Sequence, residues 1–237
     1  VATFVSDTFT DTDAVAITSH TGETGATWTK HGFATNTTAP AVRSNRINCE
    51  DTGGAVNSIY YASGSPAGAD YTVSLAYVPG SGGAQTGDIV GPLGRVATGT
   101  NDFYGALYLQ TAGGIRLYKF VSGSGTVIVA AVAFTPVSGT TYTITLDMQG
   151  TTIAMRVQRS SDSNWLASSN TWQSGQVNCG SVTDASHSSA GKAGFWLLGG
   201  NANNGAKFKI DTFVAADASS GGLSIPVAMS QYRQRWS

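Results

Sequence analysis

No stretch of this chain keeps apolar residues at the i, i+3, i+4 spacing for the length a helix needs to bury one face. What recurs instead is a series of short alternating runs, each bounded by Gly, Asn, Pro or Ser. They are NSIYYA, YTVSLAYV, DIVGPLGRVA, FYGALYLQ, IRLYKFV, TVIVAAVAF, TYTITLDM, TIAMRVQ, GKAGFWLLGG and AKFKIDTFVA. Many short strands at roughly regular spacing predict an all-β sandwich or barrel. With 237 residues the chain suits one large β domain, predicted over 1–217, followed by a linker and tail over 218–237.

Two of these strands carry enough pattern to fix their partners. In TYTITLDMQGTTIAMRVQ an even-numbered loop centred on QGTT sets Met148 against Ile153 and Leu146 against Met155. The opposite face then holds Thr143, Thr145, Asp147, Arg156 and Gln158. In FYGALYLQTAGGIRLYKFV a three-residue loop, Ala112 to Gly114, matches Leu107 and Leu109 with Ile115 and Leu117. That register gathers Tyr104, Tyr108, Arg116 and Tyr118 on one aromatic face.

The tripeptide DTF occurs twice, in FVSDTFTD and FKIDTFVAAD, without shared flanks. It reads as two terminal strands that lie side by side, with Phe9 and Phe213 entering the core and Asp7 and Asp211 close at a strand end.

Composition narrows the function classes. Charged residues make up 11% of the chain against 41% hydrophobic, so the polar surface is built from Ser, Thr, Asn, Gln and Gly. A net charge of −1 provides no electrostatic footprint for nucleic acid. No apolar run approaches the ~18 residues of a membrane-spanning helix. The opening VATFVSD has no basic or long apolar region, so no secretion signal is visible.

The two cysteines, Cys49 and Cys179, are either buried free thiols or a disulfide. No Cys-x-x-Cys spacing exists, and His20, His31 and His187 form no ligand pattern.

The chain has two glutamates, Glu23 and Glu50, and no stretch alternates acids along a strand. Glycoside hydrolysis needs two carboxylates flanking the scissile bond, and no G-x-S-x-G elbow offers a nucleophile. The expectation is therefore no enzyme. Calcium takes hard oxygen ligands, which Asp7 and Asp211 could supply if adjacent. No cofactor is required, and structural calcium is the one metal considered.

Glycan binding needs flat aromatic faces and planar hydrogen-bonding groups. Tyr104, Tyr108, Arg116 and Tyr118 supply them, as do Trp28 and Trp172 in polar surroundings. In the tail, Leu223, Ile225, Val227 and Met229 alternate before Tyr232, Arg233, Arg235 and Trp236. Ile225 and the last four are candidate docking residues, packing either on this same chain or on a partner, namely other virion proteins or a second copy.

The stretches DTFTDTDAVAITSHTGETGATWTKHG, GRVATGTNDFYGALYLQTAGGIRLYKFVSGSGTVI, YTITLDMQGTTIAMRVQ and AGKAGFWLLGGNANNGAKFKIDTFVA together resemble concanavalin A-like lectin/glucanase (laminin-G-like) jelly rolls, of the kind found in bacteriophage structural proteins. The resemblance covers roughly 4–217 and implies a two-sheet antiparallel jelly-roll sandwich whose first and last strands meet. It also implies glycan or protein binding on a concave face or rim. The E-x-D-x-x-E strand of the glucanase branch is missing.

The function expected is a non-enzymatic virion surface component, such as a capsid decoration, fibre or tail protein, with a surface glycan as ligand. A secreted carbohydrate-binding module in an extracellular setting is the alternative. A glycoside hydrolase with atypical acids is the third.

Overall fold

The computed structural model describes residues 1–51, 56–80, 88–199 and 208–218. The candidate docking residues Ile225, Tyr232, Arg233, Arg235 and Trp236 lie outside these.

In chain order the strands begin with β1 (Thr3–Asp7), β2 (Trp28–Lys30), β3 (Ala41–Val42), β4 (Ile47–Asn48), β5 (Val56–Ala62) and β6 (Tyr71–Val78). The middle of the chain forms β7 (Ile89–Val96), β8 (Phe103–Leu109), β9 (Gly114–Val121), β10 (Ser124–Ala133), β11 (Tyr142–Gln149) and β12 (Thr152–Arg159). Then follow β13 (Trp165–Leu166), β14 (Trp172–Gln173), β15 (Gly180–Thr183), β16 (Lys192–Gly199) and β17 (Lys209–Asp217). The only helical turns among the described residues are two 3-10 segments, Ile17–Ser19 and Gln110–Ala112.

Every strand pair is antiparallel, in two sheets. A 10-stranded sheet runs β14-β13-β12-β11-β6-β17-β4-β3, with β1 added to β17 and β15 to β12. A 7-stranded sheet runs β10-β9-β8-β7-β16-β5-β2. The two pack as a jelly-roll sandwich, and the core lies between their inner faces. Leu146, Met148, Ile153 and Met155 of one sheet join Tyr104, Tyr108, Ile115, Leu117, Phe195 and Leu197 of the other there.

The β11–β12 hairpin has the expected register, with Met148 opposite Ile153 and Leu146 opposite Met155. Gln149 pairs with Thr152, so the turn is the two residues Gly150 and Thr151. Gly150 sits at φ 56°, as a tight hairpin turn demands. On the outer face Arg156 meets Asp147 at 3.3 Å and Ser74 meets Thr145 at 3.0 Å.

The β8–β9 hairpin departs from expectation. Leu109 pairs with Gly114, so the connection is Gln110–Gly113, a 3-10 turn closed by Gly113 at φ 61°. An even count in place of an odd one turns β9 over relative to β8. Tyr104 and Tyr108 point into the core with Ile115 and Leu117, whereas Arg116 and Tyr118 point outward with Phe103 and Leu107. The four residues expected on one aromatic face therefore stand on two.

The terminal strands do meet. β1 pairs with β17 from Thr3↔Ala216 to Asp7↔Phe213, and Asp217 N–H donates to Ala2 O at 2.9 Å. Phe9 and Phe213 are wholly buried, with ring centroids 5.9 and 5.0 Å from Trp28. Cys49 and Cys179 are buried free thiols.

Candidate functional site

At one end of the sandwich the chain folds round a buried arginine. Arg95, 3% exposed, closes β7 with φ 49°, a conformation L residues rarely hold without compensation. Its compensation comes from three loops. Nε donates to Ala69 O at 3.0 Å, Nη1 to His187 O at 2.7 Å and Nη2 to Gly150 O at 2.8 Å. Its backbone N–H donates to the Tyr71 hydroxyl, which in turn donates to Lys192 O at 3.2 Å. Gly191, at φ 58°, packs so closely that a methyl group there would overlap the Arg95 backbone. One side chain thus fixes the loops before β6, between β11 and β12, and before β16.

The space these loops enclose is a cleft of about 580 Å³. Ser65, Pro66, Val96, Ala97, Thr98, Asp102 and the run Ser186–Lys192 form its walls together with Arg95. Most charged groups in and behind the walls are already engaged. Lys192 Nζ donates to Ser63 O at 2.6 Å and Ser65 Oγ at 2.5 Å. Behind the wall Asp184 accepts from Tyr104 Oη at 2.6 Å, Lys119 Nζ at 2.7 Å and Ser186 N at 2.8 Å.

Burial alone would raise the Asp184 pKa. The hydrogen bonds from Lys119, Tyr104 and Ser186 outweigh it and hold the carboxyl well below the usual carboxylate range. Burial, followed by the Asp184 hydrogen bond, pushes the Tyr104 hydroxyl up to about 12. Burial lowers His187, which therefore sits neutral at pH 7, with its Nε2 buried and unpartnered. Asp102 accepts from Ser122 N at 2.5 Å and Thr100 Oγ1 at 2.7 Å, which lower its pKa. What faces the opening with no side-chain partner is the hydroxyl set of Thr98, Ser188 and Ser189, beside the Asp102 carboxylate.

The chain matches no family model and no curated protein sequence. Solved structures do match. The metal-free VIP36 exoplasmic/lumenal domain superposes with a TM-score of 0.50 at 10% identity, covering 86% of this chain and 91% of that one. A Bacillus licheniformis beta-glucanase gives 0.48 at 10% identity, covering 92% and 99%. Carbohydrate binding module CBM66 from Bacillus subtilis gives 0.46 at 16% identity, covering 79% and 89%. Identities this low speak to the fold alone, and the VIP36 superposition together with the two-sheet topology decides it. The fold is concanavalin A-like.

Within this concanavalin A-like sandwich the residues singled out from sequence are dispersed. Tyr104 stands behind the cleft wall, its ring 4.8 Å from His187. Tyr108 is in the core beside Phe134 and Phe208, burial raising its hydroxyl to about 12. Arg116 and Tyr118 are half-buried on the outer face, 3.4 Å apart. Trp28, singled out for its polar surroundings, lies in β2 at 3% exposure, and its indole N–H donates to Asp7 Oδ2 at 2.7 Å. Trp172 has Arg159 stacked over its ring at 4.4 Å and Tyr142 and Phe134 packed alongside.

Asp7 and Asp211 are engaged by different partners. Asp7 is sealed in by Phe9 N, His20 and Trp28, while Asp211 pairs with Arg46 at 2.6 Å. Among the described residues no group of three His, Cys, Asp or Glu could hold a metal ion.

Arg95, Asp102, Asp184 and His187 were not singled out from sequence. The one local signal was an arginine between glycine and valine in the apolar run DIVGPLGRVA.

Proposed function

We propose that this protein binds a glycan in the end cleft without hydrolysing it. The observation that carries this is the cleft's chemistry: three unengaged hydroxyls beside one carboxylate, on a frame fixed by Arg95. Such groups match the alternating donors and acceptors of a sugar's hydroxyls. Hydrolysis requires a second carboxyl group, protonated to act as an acid. Asp102 is the only carboxylate among the described lining residues, and Asp184 behind it is held ionised by its three donors.

The setting proposed is an extracellular surface, more specifically that of a virion, where a low-charge Ser/Thr/Gly exterior serves a structural component. Secretion as a carbohydrate-binding module is the alternative. No helix among the described residues is long and apolar enough to cross a membrane.

A glycan array, run with calcium and with chelator, tests the binding. The double variant Ser188→Ala/Ser189→Ala should weaken a captured glycan about tenfold or more, since each hydrogen bond contributes about 0.5–1.5 kcal/mol. Binding that survives this change and Asp102→Asn, but is lost in Tyr118→Ala or Arg116→Ala, would move the site to the outer face. Release of reducing sugar from a bound polysaccharide would overturn the non-enzymatic assignment.

A further inference from the structure

The end cleft treats its positive and negative groups differently. Its wall cations have spent their donors on the chain itself. The Arg95 side chain is 1% exposed and gives Nε, Nη1 and Nη2 to carbonyl oxygens, and Asp70 Oδ1 lies 3.6 Å from Nη2. An ammonium carries three protons. Those of Lys192 meet Ser63 O at 2.6 Å, Ser65 Oγ at 2.5 Å and Gly64 O at 3.4 Å. Behind the wall Lys119 is paired with Asp184 and also donates to Ser186 Oγ at 2.9 Å. Neither Arg95 nor Lys192 offers the cleft an open donor.

Asp102 is the opposite case. It sits half-buried in the turn between β7 and β8, where Ala97 N donates to its carbonyl at 3.0 Å. Its carboxylate accepts from Ser122 N on Oδ1 and from Thr100 Oγ1 on Oδ2. A carboxylate has about four lone-pair sites, so each oxygen keeps acceptor capacity for a further donor. Eight carboxylates of the described chain sit in ion pairs, and Asp102 is not among them. The one carboxylate among the described lining residues is thus the one that no cation of those residues neutralises.

We propose that the ligand of the end cleft is an amino sugar, its protonated amine seated on the Asp102 carboxylate and its ring hydroxyls on Thr98, Ser188 and Ser189. This rests on the glycan reading above and narrows it. An ammonium supplies both the donors and the positive charge that Asp102 lacks, in charge-assisted hydrogen bonds roughly twice as strong as neutral ones. An N-acetyl group or a hydroxyl brings a donor without the charge. A sugar acid meets Asp102 with like charge and finds the donors of Arg95 and Lys192 already taken, so it is repelled without a compensating bond. A calcium ion would need several further oxygen ligands, and among the described residues no group of three His, Cys, Asp or Glu could hold a metal ion.

The test is a carbohydrate array of matched sets, under conditions that keep amines protonated. It carries glucosamine, galactosamine and mannosamine oligosaccharides as free amines, their N-acetylated forms, the parent neutral sugars and the corresponding uronic acids. Calorimetric titration then ranks the bound members on the wild-type protein and on Asp102→Asn. At least one free amine should bind about tenfold or more tightly than its N-acetylated and neutral counterparts, with or without chelator, and no acidic member should bind. Asp102→Asn should bring that amine level with its N-acetylated form. Neutral, N-acetylated or acidic sugars bound as tightly as the amines overturn the proposal and leave the glycan reading standing. So does an amine preference that persists in Asp102→Asn or disappears with chelator. If the variant does not fold, the wild-type ranking decides. An array with no carbohydrate bound removes the glycan reading, and this proposal with it.

Discussion

Asp7 shows how one side chain sets local order across distant parts of the sequence. Its carboxylate accepts from Phe9 N at 2.7 Å, His20 Nε2 at 2.9 Å and Trp28 Nε1 at 2.7 Å, almost out of contact with water. His20 is held at its other nitrogen by Asp11 Oδ2 at 3.0 Å. A ring with a carboxylate at each nitrogen donates from both, so it is an imidazolium. Burial opposes that charge, but the hydrogen bonds to Asp11 and Asp7 outweigh it and raise the His20 pKa. A raised folded pKa means the folded state binds the proton more tightly than the unfolded one. The stabilisation is therefore fully present below about pH 6.5 and is lost as pH climbs through the folded value. Thermal melts should show this decline on the alkaline side, and His20→Gln should flatten it. A wild-type slope retained in His20→Gln would assign it elsewhere. Trp28→Phe keeps the packing and removes one donor from a buried acceptor, so urea titration should show a loss of about 1–3 kcal/mol. The repeated DTF pointed to Asp7 but not to its partners, which lie 13 and 21 residues away along the chain.

Turn length decided which hairpin could be read from sequence. QGTT admits a two-residue turn at Gly150–Thr151, and the apolar alternation on both strands agrees with it, so β11 and β12 were legible to the residue. QTAGG admits either an odd or an even loop, and both leave apolar side chains on one face, because β8 is apolar on both. Periodicity cannot choose where both faces are greasy. The choice lies with Gly113, whose left-handed conformation ends the 3-10 turn. Gly113→Ala should cost about 1–2 kcal/mol by chemical denaturation, the penalty of a Cβ in that region. Deleting Thr111 should be far worse, since an odd loop sends Arg116 and Tyr118 toward the core. A shortened protein with unchanged stability would show that the register is set elsewhere.

For the whole molecule, the sandwich and the meeting of its first and last strands were legible, because strand patterning and end-strand chemistry are local signals. The cleft was not. Arg95, Gly150 and the 184–192 stretch that carries Asp184, His187 and Lys192 come from three separate parts of the chain and share no motif, so only the closed fold assembles them. Both cysteines are free and buried, with Cys179 pushed up to about 12 by burial, so neither is poised to react. The denaturation midpoint should therefore be the same with and without a thiol reductant. A drop on reduction would reveal a disulfide. The antiparallel pairing of β1 with β17 has a mechanical consequence. Ala2 and Asp217 sit together at one end of that pair, so tension between the two exits would unzip it one hydrogen bond at a time. A pull between the cleft and Ala218 would instead run through Asp70, Ala67 and Arg95, all at that same end. Such a load would bypass the core and leave the two sheets unstrained.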